Sequence, residues 1–162
     1  MDAGMTRMDS TMPSDTPTPA DFSPSDYRIL VVDDDPSSPT LKKMILGRAG
    51  YQVELAHDGL KGLAMLEAQH FDLAIVDTMM PGMDGFEMVQ HIRRQSRFDT
   101  MLVVIAGFGE AERESSMAIK VGADDYWTAL AVMVPRGHLE SAVHDLLVRG
   151  RRHDMNGQHD AI

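Results

Sequence analysis

From Arg28 onward, short apolar runs alternate with stretches whose apolar residues recur every three or four positions. This alternation predicts parallel strands joined by amphipathic helices that cover both faces of one sheet. The strands fall at about 28–33, 52–55, 72–77, 101–106 and 124–128. Pro36 opens a first helix with Leu41, Ile45 and Ala49 on one face, closed at Gly50. Leu60, Leu63, Ala64 and Leu66 carry a second helix, and Phe86, Val89 and Ile92 the inner stripe of a third. Met117, Ala118 and Val121 mark a fourth, and Leu139, Ala142, Val143, Leu146 and Leu147 a fifth. Met44, Met65 and Met117 fall at core positions, where the flexible thioether is a filler. The expected fold class is α/β, a five-stranded parallel sheet with helices on both faces.

The pattern also divides the chain. Residues 1–25 are rich in Ser, Thr, Asp and Pro, with too little apolar side chain to offset ordering entropy, and are expected to be a disordered extension. Residues 26–150 carry the periodic pattern and form the domain, and residues 151–162 are a polar, flexible tail. The absence of Cys excludes thiolate metal sites, cysteine nucleophiles and a disulfide scaffold, and fits a cytoplasmic protein. A net charge of −10 argues against a nucleic-acid partner, which a basic patch would mark. No apolar run approaches the roughly 20 residues of a bilayer helix, so no membrane contact is expected.

Chemistry enters at the strand ends. Ile29-Leu30-Val31-Val32 runs into Asp33-Asp34-Asp35-Pro36, and Leu73-Ala74-Ile75-Val76 into Asp77, followed by the turn Pro81-Gly82-Met83-Asp84-Gly85. The carboxyl ends of parallel strands form the crevice where open α/β sheets hold ligands. If the two strands lie side by side, Asp33, Asp34 and Asp77 converge. Two unit charges about 4 Å apart repel by roughly 4 kcal/mol at an effective dielectric of 20, so the cluster invites a cation or a proton. An all-oxygen site of this kind suits Mg²⁺. Asp35 and Asp84 read as helix caps instead. His91 and His144 read as helix-surface residues, since the histidines have no metal-ligand spacing.

With Val121-Gly122-Ala123-Asp124-Asp125-Tyr126 added, the order and spacing of these blocks resemble the receiver domain of bacterial two-component response regulators, from Tyr27 to about Gly150. The resemblance implies the flavodoxin-like strand order 2-1-3-4-5. It implies that Asp77 is the phosphoacceptor, Asp34 a direct Mg²⁺ ligand, Asp33 a water-mediated one, and the carbonyl of Met79 a third ligand. It also places Tyr126 at the family's aromatic switch position. Bulky Met79, with Phe108 opposite, is expected to slow loss of phosphate by excluding water.

Two family positions are degenerate. Ala106, or Gly107, stands where a Ser or Thr hydroxyl belongs after the fourth strand, and Ala129-Leu130 stands where the family has Lys-Pro. An aspartyl phosphate here loses a cationic partner and a hydrogen bond, each worth about 1.5–3 kcal/mol when a charged group is involved. The loop from Ala129 to Gly137 is expected to be rebuilt, with Arg136 reading as a solvated loop residue rather than a substitute cation. Trp127 reads equally as an interface residue or a core one.

Two functional readings follow. In the first, the protein is a stand-alone response regulator: a histidine kinase or phosphotransfer protein donates phosphate to Asp77, and the changed surface engages a downstream protein. In the second, it is a pseudo-receiver, an interaction module that keeps the fold and has lost phosphate-driven switching. A phosphohydrolase is a distant third, because no general acid accompanies the aspartates.

Overall fold

The structure, a computed structural model, describes residues 21–128 and 138–150. Five parallel strands form one sheet in the order β2-β1-β3-β4-β5: β1 Arg28–Val32, β2 Gln52–Ala56, β3 Leu73–Asp77, β4 Leu102–Gly107 and β5 Asp125–Thr128. The helices are α1 Ser38–Arg48, α2 Gly59–Ala68, α3 Gly85–Arg93, α4 Ala111–Val121 and α5 His138–Arg149. This is the architecture and strand order expected above.

Side chains alternate across each strand, so the sheet has two apolar faces and two cores. Leu30, Val32, Ala74, Val76, Val103 and Ile105 pack under α2, α3 and α4, through Leu66, Met88, Val89, Ile92 and Ala118. Ile29, Val31, Leu73, Ile75, Val104 and Trp127 pack under α1 and α5, through Leu46, Leu139, Val143, Leu146 and Leu147. Trp127 is therefore a core residue, its indole nitrogen donating to Asp125 Oδ2 at 3.1 Å.

Several elements differ from their sequence reading. Pro36 does not open α1; the helix starts at Ser38, with Pro39 in its first turn. The reason is Asp35, whose Oδ1 accepts from the amides of Ser37 and Ser38 at 2.7 and 3.2 Å and builds a turn that delays the helix. The buried residues of α1 are Pro39, Lys42 and Leu46, so Leu41 and Met44 face solvent and Ile45 and Ala49 flank the core. Leu60 and Met117 are also exposed, and α2 meets the sheet through Gly62 and Leu66. Met65 alone of the three filler methionines packs against a core.

Residues 21–25, expected in the extension, pack on the domain. Phe22 stacks on Tyr27 with ring centroids 5.0 Å apart, meets Tyr51 edge-on at 6.3 Å, and lies 4.6 Å from the ring of His144 on α5. Burial of one aromatic ring is enough to order this short stretch against the domain. His144 is thus partly covered, whereas His91 is exposed as expected. The remainder of the expected extension, the 129–137 loop with Ala129, Leu130 and Arg136, and the 151–162 tail lie outside the described residues.

Candidate phosphoacceptor site

β1 and β3 are paired in register, Val32 with Val76, so both strands deliver their acids to the same rim of the sheet. Ligand oxygens of Asp33, Asp34 and Asp77 all lie within 4.8 Å of one another. Asp33 is buried, Asp77 half-buried and Asp34 exposed. Strand alternation turns Asp33 and Asp77 toward the face that carries Val31 and Ile75, the side covered by α1. A cavity of about 300 Å³ opens there, lined by the three acids, Asp35, Ser38, Lys42, Met79, Ala106 and Phe108.

Local backbone chemistry holds this rim in place. The Asp33 amide donates to Ala56 O at 3.0 Å and extends the β1–β2 ladder by one residue, while Asp33 Oδ1 accepts from the Asp35 amide at 3.0 Å. After Asp77, the Thr78 amide donates to Ala106 O at 3.2 Å, and the Gly85 amide closes the turn onto Thr78 O at 3.0 Å. A Cβ at Gly85 would strike the carbonyl oxygen of Asp77 and crowd Thr78 Cα. Asp84 then caps α3 as expected, in a reciprocal capping box with Glu87: Asp84 Oδ1 accepts from the Glu87 amide at 2.9 Å.

The electrostatics follow from this packing. Burial is the largest influence on Asp77, followed by the charge of Asp33, with Asp34 adding to it; together they push the carboxyl up to about 7. A hydrogen bond from the Met79 backbone and the charge of Lys42 pull the other way. Three carboxylates this close together, one of them half-buried, are a donor set that fits a hard divalent cation. Asp33, Asp34 and Asp77 each offer a carboxylate oxygen that could hold such an ion. The side chains of Met79 and Phe108 stand about three-quarters exposed at the mouth of the cavity.

Of the positions expected to be degenerate, Ala106 and Gly107 fall among the described residues. Ala106 is the register partner of Asp77 and lines the cavity with a methyl group. Gly107 follows it, and the space its side chain would take is filled by Thr78, with Oγ1 2.8 Å from an ideal Cβ, and by Glu114 Oε1 at 2.6 Å. Thr78 Oγ1 is buried and makes no hydrogen bond. Tyr126 points to α4 instead of the acids: its hydroxyl donates to Glu114 Oε1 at 2.7 Å, and burial, then this bond, raises its pKa.

Sequence reasoning missed four participants. Lys42 carried no reading from sequence, yet it is 2% exposed and its Nζ lies 3.5 Å from Asp33 Oδ2. Glu114 and Thr78 gained no role from pattern alone. At the opposite rim, Arg93 ties the floor of the domain, donating to the carbonyls of Gly122, Phe98 and Met101 and to Asp124 Oδ2, each at 2.9 Å. The GADDY block contained half of that last pair; its partner lies 31 residues away and has no local signature.

Comparison with known proteins agrees with the geometry. Residues 29–128 match the response regulator receiver domain family. The chain is 38% identical over 102 residues to the DNA-binding dual master transcriptional regulator RpaA of Synechocystis, a match covering 62% of this chain and 42% of that protein. Among solved structures it resembles the chemotaxis protein CheY4 of Vibrio cholerae, with a TM-score of 0.66, 30% identity, and coverage of 75% of this chain and 98% of that one. It also resembles the response regulator TrrA of Thermotoga maritima in complex with Mg²⁺-BeF, with a TM-score of 0.64, 30% identity, and coverage of 75% and 99%.

Proposed function

Because this chain belongs to the response regulator receiver domain family, we propose that it accepts a phosphoryl group on Asp77 and signals through contacts made by the altered surface. The observation that carries this reading is the convergence of Asp33, Asp34 and Asp77 on one cavity, with Asp77 at the end of the central strand β3. A carboxylate is a competent phosphoryl acceptor, and the protein's task in the transfer is positioning and charge neutralisation. β3 and the Gly85 turn fix the Asp77 backbone; Met79 and Phe108 border its approach; Asp33 and Asp34 recruit positive charge. Asp33, Asp34, Asp77 and the Met79 carbonyl would hold Mg²⁺, which would supply charge neutralisation there.

The donor in this reading is a histidine kinase or phosphotransfer protein, and the output is a protein contact. In this reading the domain acts as a phosphoacceptor for a protein donor. The net charge of −10 supports a receiver that itself makes no nucleic-acid contact. No described helix is long and apolar enough to cross a membrane, which supports assignment to the cytoplasm. A receiver domain at 26–150, with Phe22 and its neighbours attached to it, completes the proposed organisation.

A pseudo-receiver is favoured by one specific observation: Tyr126 is already bonded to Glu114, away from the acids, with no hydroxyl at Ala106 or Gly107 to draw it. The deciding experiment is intact-mass measurement after incubation with acetyl phosphate and Mg²⁺. Incorporation of one phosphoryl group that vanishes in Asp77→Asn is the expected result. No incorporation in the wild type would refute phosphoacceptance and leave the pseudo-receiver.

A further inference from the structure

We propose that Lys42 of α1 is the cation that contacts the phosphoryl oxygens on Asp77, taking over at a different place in the fold the role left open by Ala129. This rests on the reading of Asp77 as phosphoacceptor. Four observations carry it.

The first is burial. Lysine is almost never fully buried without a partner, because removing an ammonium from water is costly. Lys42 is nonetheless 2% exposed, at a position of α1 between Pro39 and Leu46 where helical spacing calls for an apolar side chain. The second is direction. α1 covers the sheet face toward which alternation turns Asp33 and Asp77, and Lys42 lines the same cavity as both.

The third is unused capacity. An ammonium has three donors, and Nζ makes one short hydrogen bond, to Ser38 Oγ at 2.8 Å, with Asp33 Oδ2 at the longer distance of 3.5 Å. Ser38 lines the cavity too, so the lysine head is held at its wall. The fourth is charge balance. Four acids and one lysine leave the cavity net negative, and conversion of the Asp77 carboxylate to an acyl phosphate replaces one negative charge by about two, now carried on the phosphoryl oxygens. The cation fixed beside the acids is thus placed where the new charge develops, and no reorganisation is needed to bring it there.

Lys42 breaks no bond. With acetyl phosphate as donor, an Asp77 oxygen attacks phosphorus, the bond from phosphorus to the acetyl oxygen breaks, and acetate leaves with the electron pair. Reactant and product charges are equal, and no proton is consumed. Lys42 lowers the barrier by neutralising the phosphoryl oxygens as they pass between the two.

The test compares wild type, Asp77→Asn and Lys42→Met in acetyl phosphate and Mg²⁺, following incorporation by intact mass, with thermal unfolding as the check of fold. Loss of a charge-assisted contact made in the transition state predicts incorporation about tenfold slower or worse in Lys42→Met. A second measurement needs no variant. In wild type, the lysine side-chain ¹H–¹⁵N signals are recorded before and after Mg²⁺ with beryllium fluoride, a tetrahedral mimic of the phosphoryl group. The Lys42 ammonium signal is expected to shift, with Lys43, Lys61 and Lys120 as internal controls.

Wild-type incorporation with an unchanged rate in Lys42→Met, or an unmoved Lys42 signal, overturns the role of Lys42 while Asp77 stands. Absence of incorporation in the wild type overturns both. If Lys42→Met does not fold, the ammonium signal of the wild type decides.

Discussion

Replacing Asp77 with Asn removes one of three crowded negative charges and keeps nearly the same shape. In metal-free protein the Asp77 carboxyl titrates near 7, against an ordinary value of 3.8. Between those two pH values the folded protein keeps a proton that the unfolded chain has released. Wild-type stability therefore falls as pH rises through this window and levels off above it. At about 1.4 kcal/mol per pH unit the whole window is worth at most about 4 kcal/mol, less once solvent screening of this half-buried group is counted, and up to about 2 kcal/mol of it lies between pH ~5.5 and ~8.5. The groups facing Asp77 are Asp33, Asp34, Lys42 and the Met79 amide, and all remain in the variant. The assay is urea unfolding of both proteins in EDTA across that range. Asp77→Asn is expected to be the more stable protein, by a margin that widens by up to about 2 kcal/mol from the acidic to the alkaline end. A margin that stays constant with pH, or narrows as pH rises, would refute the account of the site as a cluster short of positive charge. Saturating Mg²⁺ should stabilise the wild type at pH ~8.5 and close much of the gap, because a bound cation relieves the same repulsion.

Other predictions follow from contacts at the two rims. Gly107→Ser, which restores a hydroxyl after β4, is expected to destabilise by roughly 1–3 kcal/mol in thermal or chemical unfolding, since Thr78 and Glu114 occupy the space; Thr78→Ala in the same chain should recover part of the loss. Gly85→Ala drives a methyl group into the Asp77 carbonyl and should cost about 2–4 kcal/mol while also slowing phosphate incorporation, because the acceptor backbone must move. Asp124→Ala leaves the Arg93 guanidinium, 12% exposed, and the Val103 amide without their shared acceptor, with an expected cost of about 3–5 kcal/mol by urea unfolding and a much smaller cost for Asp124→Asn. The phosphorylated protein is expected to lose phosphate slowly, and Met79→Ala should shorten its lifetime by opening the cavity mouth to water, as measured by decay of the phosphorylated mass.

How much of this was legible depends on the distance over which each cause acts. The apolar runs in Leu73–Asp77 and Leu102–Gly107 are local signals, so strands and strand ends could be read directly, whereas the convergence of Asp33, Asp34 and Asp77 needed a strand order that only the resemblance implied. The capping box at Asp84 and Glu87 is equally local. The phase of α1 was misread because Leu41 and Met44 look like core residues, whereas the sheet demands Pro39, Lys42 and Leu46. A lysine facing a core makes sense only once the acids opposite it are known. Had the charge shortage at the strand ends been used to search the adjoining helix, Lys42 was the cation to find. The hydroxyl bond from Tyr126 to Glu114 and the reach of Arg93 to Asp124 depend on tertiary packing, and no periodicity encodes them.

The floor of the sheet spends its aspartates differently from the rim. Asp72 Oδ2 accepts from the Arg28 amide at 2.8 Å, and Asp124 Oδ2 from the Val103 amide at 2.9 Å, so each acid there ties the backbone of a neighbouring strand. Arg93 then fastens three carbonyls across the same edge. Amide exchange should accordingly be slowest at that edge and faster toward residues 78–85, whatever the phosphorylation state. A molecule built this way can be disturbed at one end without loosening at the other, which lets the same scaffold tolerate rewritten chemistry at Ala106 and Gly107 while its strand order stays intact.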